Sequence, residues 1–301
     1  MRGREEHLPG VTGTVDASVV SPGEVSAVQP IDYRRQLVLI TGASSGLGVE
    51  FAVQLAARGA DLILVARRED RLAQVADRIT AATGVRVHTV AMDLGRADAG
   101  VALRERLDDE DLHPTALINN AGFATHGLFH EADQERMRAE VMLDVVALTD
   151  ITRSFIESLR SAPGGFLVNI ASIAGYQPNP HLAVYSAAKA YVLSLTESLW
   201  YEARGTGLRV LALSPGPART EFFEVAGAAA GGGLPPMEAS DVVATALREL
   251  DRPEPGPSVV PGPINKVVTG MSRLVPRRIA ALVSGLTMDR AARQLGDGPR
   301  G

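Results

Sequence analysis

The chain contains 301 residues, of which 46% are hydrophobic and 22% are charged, proportions typical of a globular protein with a substantial core. Its formal net charge of −5 excludes an overall basic surface for nucleic acid, so we expect no nucleic-acid partner. The absence of cysteine excludes disulfides, thiolate metal ligands and thiol catalysis. This composition fits a reducing compartment, and we predict a cytoplasmic protein without a metal site.

The first 33 residues differ from the rest of the chain. They contain Pro9, Pro22 and Pro30, several glycines and no periodic apolar run, which predicts a disordered arm whose last part is ordered. The arm lacks the apolar stretch of a secretory signal, and no later segment has the roughly 18 apolar residues of a membrane span. We therefore predict an arm over residues 1–33, one domain over 34–265 and a C-terminal helical extension over 266–301 with a flexible end.

Short apolar runs begin after Gln36 and predict buried strands. The first, residues 37–40, ends at a glycine-rich turn, and a helical pattern follows with Leu47, Phe51 and Leu55 on one face. Six further runs have the same character: residues 62–65, 85–92, 116–118, 166–170, 209–213 and 258–260. Because helical segments separate nearly all of them, we predict a single α/β domain with a Rossmann-type, doubly wound sheet of about seven parallel strands and helices on both faces.

The turn after the first strand has the composition of a phosphate-binding loop, Thr-Gly-Ala-Ser-Ser-Gly-Leu-Gly over residues 41–48. Glycines at such a turn let the backbone approach a pyrophosphate, and the following helix offers free N–H groups and a positive dipole end to the anion. A lone glycine motif also fits a turn without a ligand, but this one lies between a strand and a helix, which favours a dinucleotide. The predicted contacts are Gly42, Ser44, Ser45, Gly46, Leu47 and Gly48.

Two arginines follow the second strand, at the position that faces the adenosine ribose in such folds. An acid there would accept hydrogen bonds from a free 2′-hydroxyl, whereas an arginine suits a 2′-phosphate. Arg67 and Arg68 stand at this position, and no acid precedes them at the strand end. The alternative is a pair of solvated arginines; we favour NADP(H), with Arg67 as the stronger contact. Asp93 and Leu94, at the end of the third strand, are predicted to line the adenine.

Further motifs follow the later strands in order. Asn-Asn-Ala-Gly at residues 119–122 follows the fourth strand, Ser172 follows the fifth, and Tyr-x-x-x-Lys spans Tyr185 to Lys189. With the Thr-Gly-x-x-x-Gly-x-Gly loop, these elements make residues 36–265 resemble the short-chain dehydrogenase/reductases, and most of all a bacterial subgroup of broad reductases. The resemblance implies that the cofactor contacts Asn120, Ala121, Gly122, Tyr185, Lys189, Pro215, Gly216 and Thr220.

Three side chains could together catalyse the interconversion of a carbonyl and an alcohol: Ser172, Tyr185 and Lys189. Tyr185 and Lys189 are four residues apart, about one helical turn, so both lie on one side of a helix. Because the usual tyrosine pKa of about 10 is too high for a good base, we expect the Lys189 ammonium and the positive nicotinamide ring to lower the pKa of Tyr185. Tyr185 would act as general acid and base, Lys189 would hold the ribose hydroxyls, and Ser172 would stabilise the substrate oxygen. Taken separately, Tyr185 and Lys189 fit an ordinary pair of helix residues and Ser172 fits a loop cap. The three together in this order favour a catalytic site.

One position departs from the family pattern. Members usually carry Asn on the helix before the fifth strand, and the resemblance implies that this Asn positions a water between the lysine and solvent. Here Asp144 stands in that place, in the sequence Asp-Val-Val-Ala-Leu. We predict that Asp144 belongs to the site, holds the water and strengthens the ammonium form of Lys189. The alternatives are an impaired relay with slow turnover, or a carboxylate that only faces polar surroundings.

Loops at the carboxyl ends of the strands should choose the substrate. Their apolar side chains predict an apolar ketone, aldehyde or alcohol, and Arg219, the basic exception, could contact cofactor or solvent. Residues 227–233 are almost all Gly and Ala, which predicts a lid that orders on binding. We expect the substrate to contact Phe123, Ile173, Tyr176 and Phe222.

The C-terminal segment 264–294 has two amphipathic helical patterns separated by Pro276. It contains six basic residues and one acid, Asp289. One interpretation is a pair of helices that pack on the domain or on a partner subunit. The other is peripheral contact with an anionic membrane surface, which would deliver lipophilic substrate.

These patterns predict an NADP(H)-dependent oxidoreductase that interconverts a carbonyl and an alcohol on an apolar small molecule. A second hypothesis is a cofactor-binding regulatory or scaffold protein with weak or lost turnover, for which Asp144 leaves room. An epimerase or dehydratase is disfavoured, because the loop lacks Gly-x-x-Gly-x-x-Gly spacing and the chain lacks a larger C-terminal substrate domain. The resemblance also implies a homodimer or homotetramer.

Overall fold

A computed structural model of the chain describes residues 30–222 and 228–294. Most of the predicted N-terminal arm, part of the predicted lid and the end of the predicted extension therefore lie outside the described residues. The last part of the arm is held by the domain. Tyr33 is buried, and its hydroxyl donates a hydrogen bond to the Asp251 carboxylate at 2.7 Å.

Seven parallel strands form one sheet, which confirms the predicted α/β architecture. They are β1 (Leu37–Thr41), β2 (Asp61–Ala66), β3 (Val87–Ala91), β4 (Ala116–Asn119), β5 (Phe166–Ile170), β6 (Arg209–Leu213) and β7 (Ser258–Val259). Their order across the sheet is β3-β2-β1-β4-β5-β6-β7. The winding direction therefore reverses between β1 and β4, and a crevice forms at the carboxyl ends of these two strands.

Helices cover both faces of the sheet. They are α1 (Gly46–Ala57), α2 (Glu69–Thr83), α3 (Ala99–Asp108), α4 (Gln134–Val141), α5 (Leu148–Ser161), α6 (Ala183–Glu202), α7 (Ala239–Leu250), α8 (Pro263–Leu274) and α9 (Arg277–Gln294). A π-helix over Met142–Ala147 joins α4 to α5, and Pro276 stands between α8 and α9. Within the described ranges, no helix is both long and apolar enough to cross a membrane.

Alternate residues of the strands pack into different cores on the two faces. Ile40 of β1 belongs to the cluster that contains Phe51 of α1 and Val242 of α7. Its neighbour Leu39 belongs to the opposite cluster, with Leu103 of α3 and Phe155 of α5. Because both faces are buried, the strand ends are held at fixed positions along one edge, where the loops that follow them can form a site.

Candidate active site

One large cavity, of about 1130 Å³, opens at the carboxyl ends of the strands. It begins at the loop between β1 and α1, passes the ends of β4, β5 and β6, and ends against α8 and α9. Most residues predicted for the cofactor, the chemistry and the substrate line it: Gly42, Ser44, Ser45, Gly46, Leu47, Arg67, Arg68, Asp93, Leu94, Asn120, Ala121, Gly122, Phe123, Ser172, Ile173, Tyr185, Lys189, Pro215, Gly216, Thr220 and Phe222. The fold therefore brings these separate sequence motifs into one cleft.

The glycine loop is shaped by close backbone contacts. Gly42 and Gly46 have φ of 66° and 55°, in the left-handed region that favours glycine. A Cβ at Gly42 would lie 2.8 Å from the Asn120 side-chain nitrogen, and one at Gly46 would lie 3.2 Å from Thr220. Gly48 does not line the cavity; a Cβ there would collide with the Gly42 carbonyl oxygen. Gly48 thus allows α1 to start close behind the loop, which aims its N-terminus at the cavity.

The Asn-Asn-Ala-Gly segment fastens the loop to the sheet. The Asn120 side-chain amide donates hydrogen bonds to the carbonyl oxygens of Thr41, at 3.0 Å, and Gly42, at 3.2 Å. The Thr41 hydroxyl in turn accepts hydrogen bonds from the backbone N–H groups of Asn120 and Ala121, both at 3.0 Å. Because these bonds join β1 to β4 at the crevice, the phosphate-binding backbone is held rigid.

The part of the cavity wall that follows β2 is basic. Arg67 and Arg68 line the cavity after β2, and the strand end carries no acid. Arg68 donates hydrogen bonds to the Ser44 hydroxyl at 3.0 Å and to the Glu221 carboxylate at 3.1 Å. Arg71 also pairs with Glu221, at 2.6 Å. The guanidinium groups of Arg67 and Arg68 and the hydroxyl of Ser44 are donors that suit the 2′-phosphate of NADP(H). Motif reading missed Arg71 and Glu221, since they meet only through the fold.

Ser172 and Tyr185 face the middle of the cavity. Ser172 follows β5 and begins a short 3-10 turn, where its hydroxyl accepts a hydrogen bond from the Ala174 N–H at 3.1 Å. Tyr185 and Lys189 lie on successive turns of α6, with the Lys189 Nζ 5.5 Å from the centre of the Tyr185 ring. The Lys189 ammonium also donates a hydrogen bond to the carbonyl oxygen of Ile170, at the end of β5, at 3.1 Å.

Asp144 lies behind Lys189 rather than in the cavity wall. Its carboxylate is fully buried in the π-helix and contacts the Lys189 Nζ directly, at 2.9 Å. Its other oxygen accepts a hydrogen bond from the backbone N–H of Phe123 at 3.0 Å. A Cβ at Gly122 would lie 2.9 Å from both carboxylate oxygens, so the glycine leaves room for the acid. The carboxylate that stands at the position of the family's Asn thus forms a direct ion pair with Lys189.

Burial and the Lys189 ammonium act on the pKa of Tyr185 in opposite directions. Burial raises its pKa, and the Asp144 and Glu140 carboxylates raise it too, which together outweigh the lowering by Lys189 and Ser172. Burial lowers the pKa of Lys189, but Asp144, Tyr185 and Glu140 together more than compensate, so that the lysine pKa is raised and the ammonium form is favoured. The expected lowering of the Tyr185 pKa by Lys189 exists, but desolvation is the larger effect.

Glu140 was missed by the sequence analysis. It has none of its surface exposed and lies one helical turn before Asp144, and its carboxylate accepts a hydrogen bond from the Thr125 N–H at 2.9 Å. Burial and the nearby Asp144 raise the pKa of Glu140 to about 7, against the lowering by Thr125 and Lys189. The only sequence signal was the four-residue spacing to Asp144, which puts both acids on one face of a helix.

The substrate end of the cavity is built largely by the C-terminal helices. Their described side chains along the wall are apolar or carry hydroxyls: Val268, Met271, Ser272, Ile279, Ala280, Val283, Ser284, Thr287 and Met288. Phe222 packs beside the Tyr185 ring, with 5.6 Å between ring centres, and Ala230 to Gly232 of the predicted lid also line the wall. The C-terminal segment, read from sequence as an extension, is thus part of the pocket.

Tyr176 requires a correction. It was expected to contact substrate, but it does not line the cavity. Because the turn Ile173–Tyr176 lies along α6, its ring packs against the buried cluster of Val192, Leu193 and Ala212. Arg219, whose role was open, is not part of the wall either and pairs with Glu238 at 2.8 Å.

The fold and the cleft define the class of the protein as a dinucleotide-binding α/β protein with a Ser, Tyr and Lys centre. The short chain dehydrogenase family model matches residues 36–230, and the chain belongs to this family.

Named relatives share most of this region. The chain is 35% identical over 188 residues to sulfoacetaldehyde reductase 2 of Chromohalobacter salexigens, covering 62% of this chain and 74% of the relative. A short-chain dehydrogenase from Sphingobium yanoikuyae, solved with NADPH, aligns with a TM-score of 0.69 and 33% identity over 80% of this chain and 97% of that one. A bulky-bulky ketone specific alcohol dehydrogenase from Comamonas testosteroni aligns with a TM-score of 0.64 and 29% identity, over 80% and 95% of the two chains.

Proposed function

We propose that the protein is an NADP(H)-dependent oxidoreductase that interconverts a carbonyl and an alcohol on an apolar small molecule. One observation carries the proposal: Ser172 and Tyr185 face a single cavity that is basic at its nucleotide end and apolar at its other end. The reaction type is proposed by analogy with other oxidoreductases of this family. The Sphingobium relative was solved with NADPH, and the arginines after β2 suit the same nucleotide here.

Each residue of the centre has a chemical task. The Tyr185 hydroxyl donates its proton to the substrate oxygen during reduction and takes it back during oxidation. The Ser172 hydroxyl holds that oxygen and stabilises the charge that develops on it. The Lys189 ammonium, fixed by Asp144 and by the Ile170 carbonyl, stabilises the tyrosinate and binds the ribose. The bound nucleotide supplies or accepts the hydride.

An apolar, bulky substrate fits the far end of the cleft best. The wall there combines Phe222, Leu182 and Met288 with the apolar faces of α8 and α9. The described side chains of α8 and α9 in the wall include no arginine or lysine to hold a sulfonate or carboxylate, and Arg136 of α4, which also lines the cavity, is engaged by the Ala124 carbonyl oxygen and the Phe123 ring. We therefore favour a bulky, lipophilic ketone over an anionic aldehyde such as sulfoacetaldehyde; the Comamonas relative is specific for bulky-bulky ketones, and the Chromohalobacter relative is a sulfoacetaldehyde reductase.

The decisive experiment follows NADPH oxidation with a panel of ketones and aldehydes, both lipophilic and anionic. Replacing Tyr185 by Phe removes the proton donor and should lower kcat about 10²–10⁴-fold while NADPH still binds. Unchanged activity in Y185F would remove the assigned mechanism. A wild type that binds NADPH but reduces nothing in the panel would favour the alternative, a regulatory or scaffold protein with lost turnover.

We also propose that α8 and α9 make peripheral contact with an anionic membrane. Their outer surface exposes large apolar side chains, among them Leu274 (86%), Leu282 (59%) and Leu286 (68%). Met271, Ile279 and Val283 are exposed and also line the cavity, so the apolar surface continues into the substrate end. Basic residues outnumber acids along the segment, and Asp289, its one acid, is paired with His181 at 2.7 Å. Lipid would then deliver substrate directly to the cleft.

Assembly and location complete the proposal. We expect a homodimer or homotetramer in the cytoplasm. The helices that bear Asp144 and Tyr185 expose apolar side chains on their outer faces: Val141, Val146 and Tyr191. Such a surface suits contact with a second copy of the chain.

A further inference from the structure

Two buried carboxylates lie close to one buried ammonium behind the catalytic tyrosine. We call Glu140, Asp144 and Lys189 the buried charge cluster; both acids have 0% of their surface exposed and the lysine has 5%. Asp144 forms the ion pair with Lys189, whereas Glu140 forms none with the described residues. With every group ionised, the cluster would carry one uncompensated negative charge away from water, which is costly. A proton on Glu140 removes that charge.

The contacts of Glu140 show that it is held in place but poorly solvated. One carboxylate oxygen accepts the Thr125 N–H at 2.9 Å, and the other is buried with no hydrogen-bond partner among the described residues. Hydrogen bonding to Thr125 replaces only part of the hydration that an ionised carboxylate loses on burial, because desolvation outweighs it. The carboxyl therefore accepts a proton far more readily than an exposed glutamate, consistent with its pKa of about 7.

The charged and titratable groups near Glu140 lie in the π-helix, on α6, in the loop after β4 and on α4 itself. Asp144 precedes α5 in the π-helix, and Tyr185 and Lys189 belong to α6, which packs against α4. His126 follows Thr125 in the loop after β4 and stacks on His181, with 5.7 Å between ring centres. Arg136, one turn earlier on α4, donates to the Ala124 carbonyl oxygen at 3.2 Å. Of these groups, Asp144 and Lys189 act on Glu140 in opposite directions, and Glu140 in turn acts on Tyr185.

We propose that Glu140 is a positioning residue of the catalytic centre, which sets the charge of the buried cluster by gaining or losing one proton and thereby controls how readily Tyr185 releases its own. The inference rests on the proposed function of Tyr185. Protonated Glu140 leaves a neutral Asp144 and Lys189 pair beside the tyrosine. Ionised Glu140 adds a negative charge that holds the proton on Tyr185, which favours its role as the acid in reduction and opposes its role as the base in oxidation.

The test compares Glu140→Gln with the wild type in alcohol oxidation, where Tyr185 must be ionised. Gln keeps the shape of the side chain and removes its charge. The acid limb of the kcat/KM profile against pH should therefore move to lower pH in E140Q, by up to about one pH unit. Glu157→Gln, an exposed acid on α5, is the matched control and should leave the profile in place. A profile of E140Q that coincides with the wild type in an active enzyme overturns the inference.

A second readout needs no activity. Because the folded-state pKa of Glu140 is raised from 4.5 to about 7, the folded protein binds one more proton than the unfolded chain between these values. Glu140 should therefore lower the wild-type urea midpoint as pH rises from about 5 to 8, and E140Q should lose that part of the decline. A midpoint difference that is constant with pH would show that Glu140 does not titrate, which also overturns the inference. If no alcohol is oxidised by any variant, the proposed function fails while this arm still reports the charge of Glu140.

Discussion

At the scale of single residues, Glu221 occupies Arg68, one of the two arginines that are proposed to hold the cofactor phosphate. Its carboxylate pairs with both Arg68 and Arg71, and Arg68 also holds the Ser44 hydroxyl. Arg67 makes no ion pair with the described part of the chain. A 2′-phosphate can therefore meet Arg67 directly but must compete with Glu221 for Arg68. Because exposed ion pairs contribute only about 0–1 kcal/mol, this competition should be mild.

The two side chains should consequently change NADPH affinity in opposite directions. Arg67→Ala removes a charge-assisted hydrogen bond of about 1.5–3 kcal/mol and should weaken NADPH binding roughly 10–100-fold, with little change for NADH. Glu221→Gln frees Arg68 and should tighten NADPH binding up to about fivefold. Isothermal titration with both nucleotides measures this, with Arg153→Ala, an exposed arginine on α5, as control. Equal NADPH affinities for R67A and wild type would remove Arg67 from the cofactor site.

At the scale of secondary-structure elements, α8 and α9 have two different faces. Their inner faces line the substrate end of the cavity, while their outer faces expose Leu274, Leu282 and Leu286. An apolar face left in water is costly, and it must be covered by lipid or by protein. Two copies meeting through this surface would bring basic side chains such as Arg277 and Arg278 together, which is unfavourable, whereas an acidic bilayer attracts them.

Co-sedimentation with vesicles tests the membrane proposal on the full chain. We expect binding to vesicles that contain acidic lipid, less binding to neutral vesicles, and release at high salt because charge attraction is screened. Combining Leu282→Glu with Leu286→Glu should reduce the bound fraction several-fold, since carboxylates oppose insertion. Val101→Glu, which changes an exposed apolar residue of α3, should leave it unchanged. Equal recovery in the supernatant with and without acidic vesicles would exclude the proposal.

At the scale of the whole molecule, the exposed apolar residues of the π-helix and α6 should govern the association of copies of the chain. Val146 in the π-helix and Tyr191 on α6 belong to neighbouring helical segments, and the Tyr191 hydroxyl lies 3.0 Å from that of Thr149. Lys189 and its partner Asp144 lie on these same two segments, so contact with a second copy would help to hold the proposed catalytic centre in place.

Light scattering should give two or four times the chain mass of 31.7 kDa. Val146→Glu together with Tyr191→Glu puts charge into the expected interface and should shift the protein toward monomers, with a loss of activity that follows dissociation. Leu286→Glu alone, an exposed apolar residue of α9, should leave the mass unchanged. A wild-type protein that is monomeric at micromolar concentration would contradict the expected homo-oligomer.

The fold class and most of the residues that line the cleft could be predicted from the sequence alone. Hydrophobic periodicity and turn residues are local properties of a sequence, and the apolar runs predicted the strands. The glycine loop, Ser172, Tyr185 and Lys189 each follow a strand along the chain. Because the carboxyl ends of parallel strands meet at one edge, chain order was enough to bring these residues together.

Properties that depend on packing and desolvation emerge only once the chain is folded. Tyr176 turned toward α6 because a buried apolar cluster was available there, and the C-terminal helices became a wall of the pocket by folding back over it. The sign of the Tyr185 pKa shift and the burial of Glu140 follow from how many atoms surround each group. Desolvation sums over neighbours that are distant along the chain, so no local pattern of residues could have revealed it.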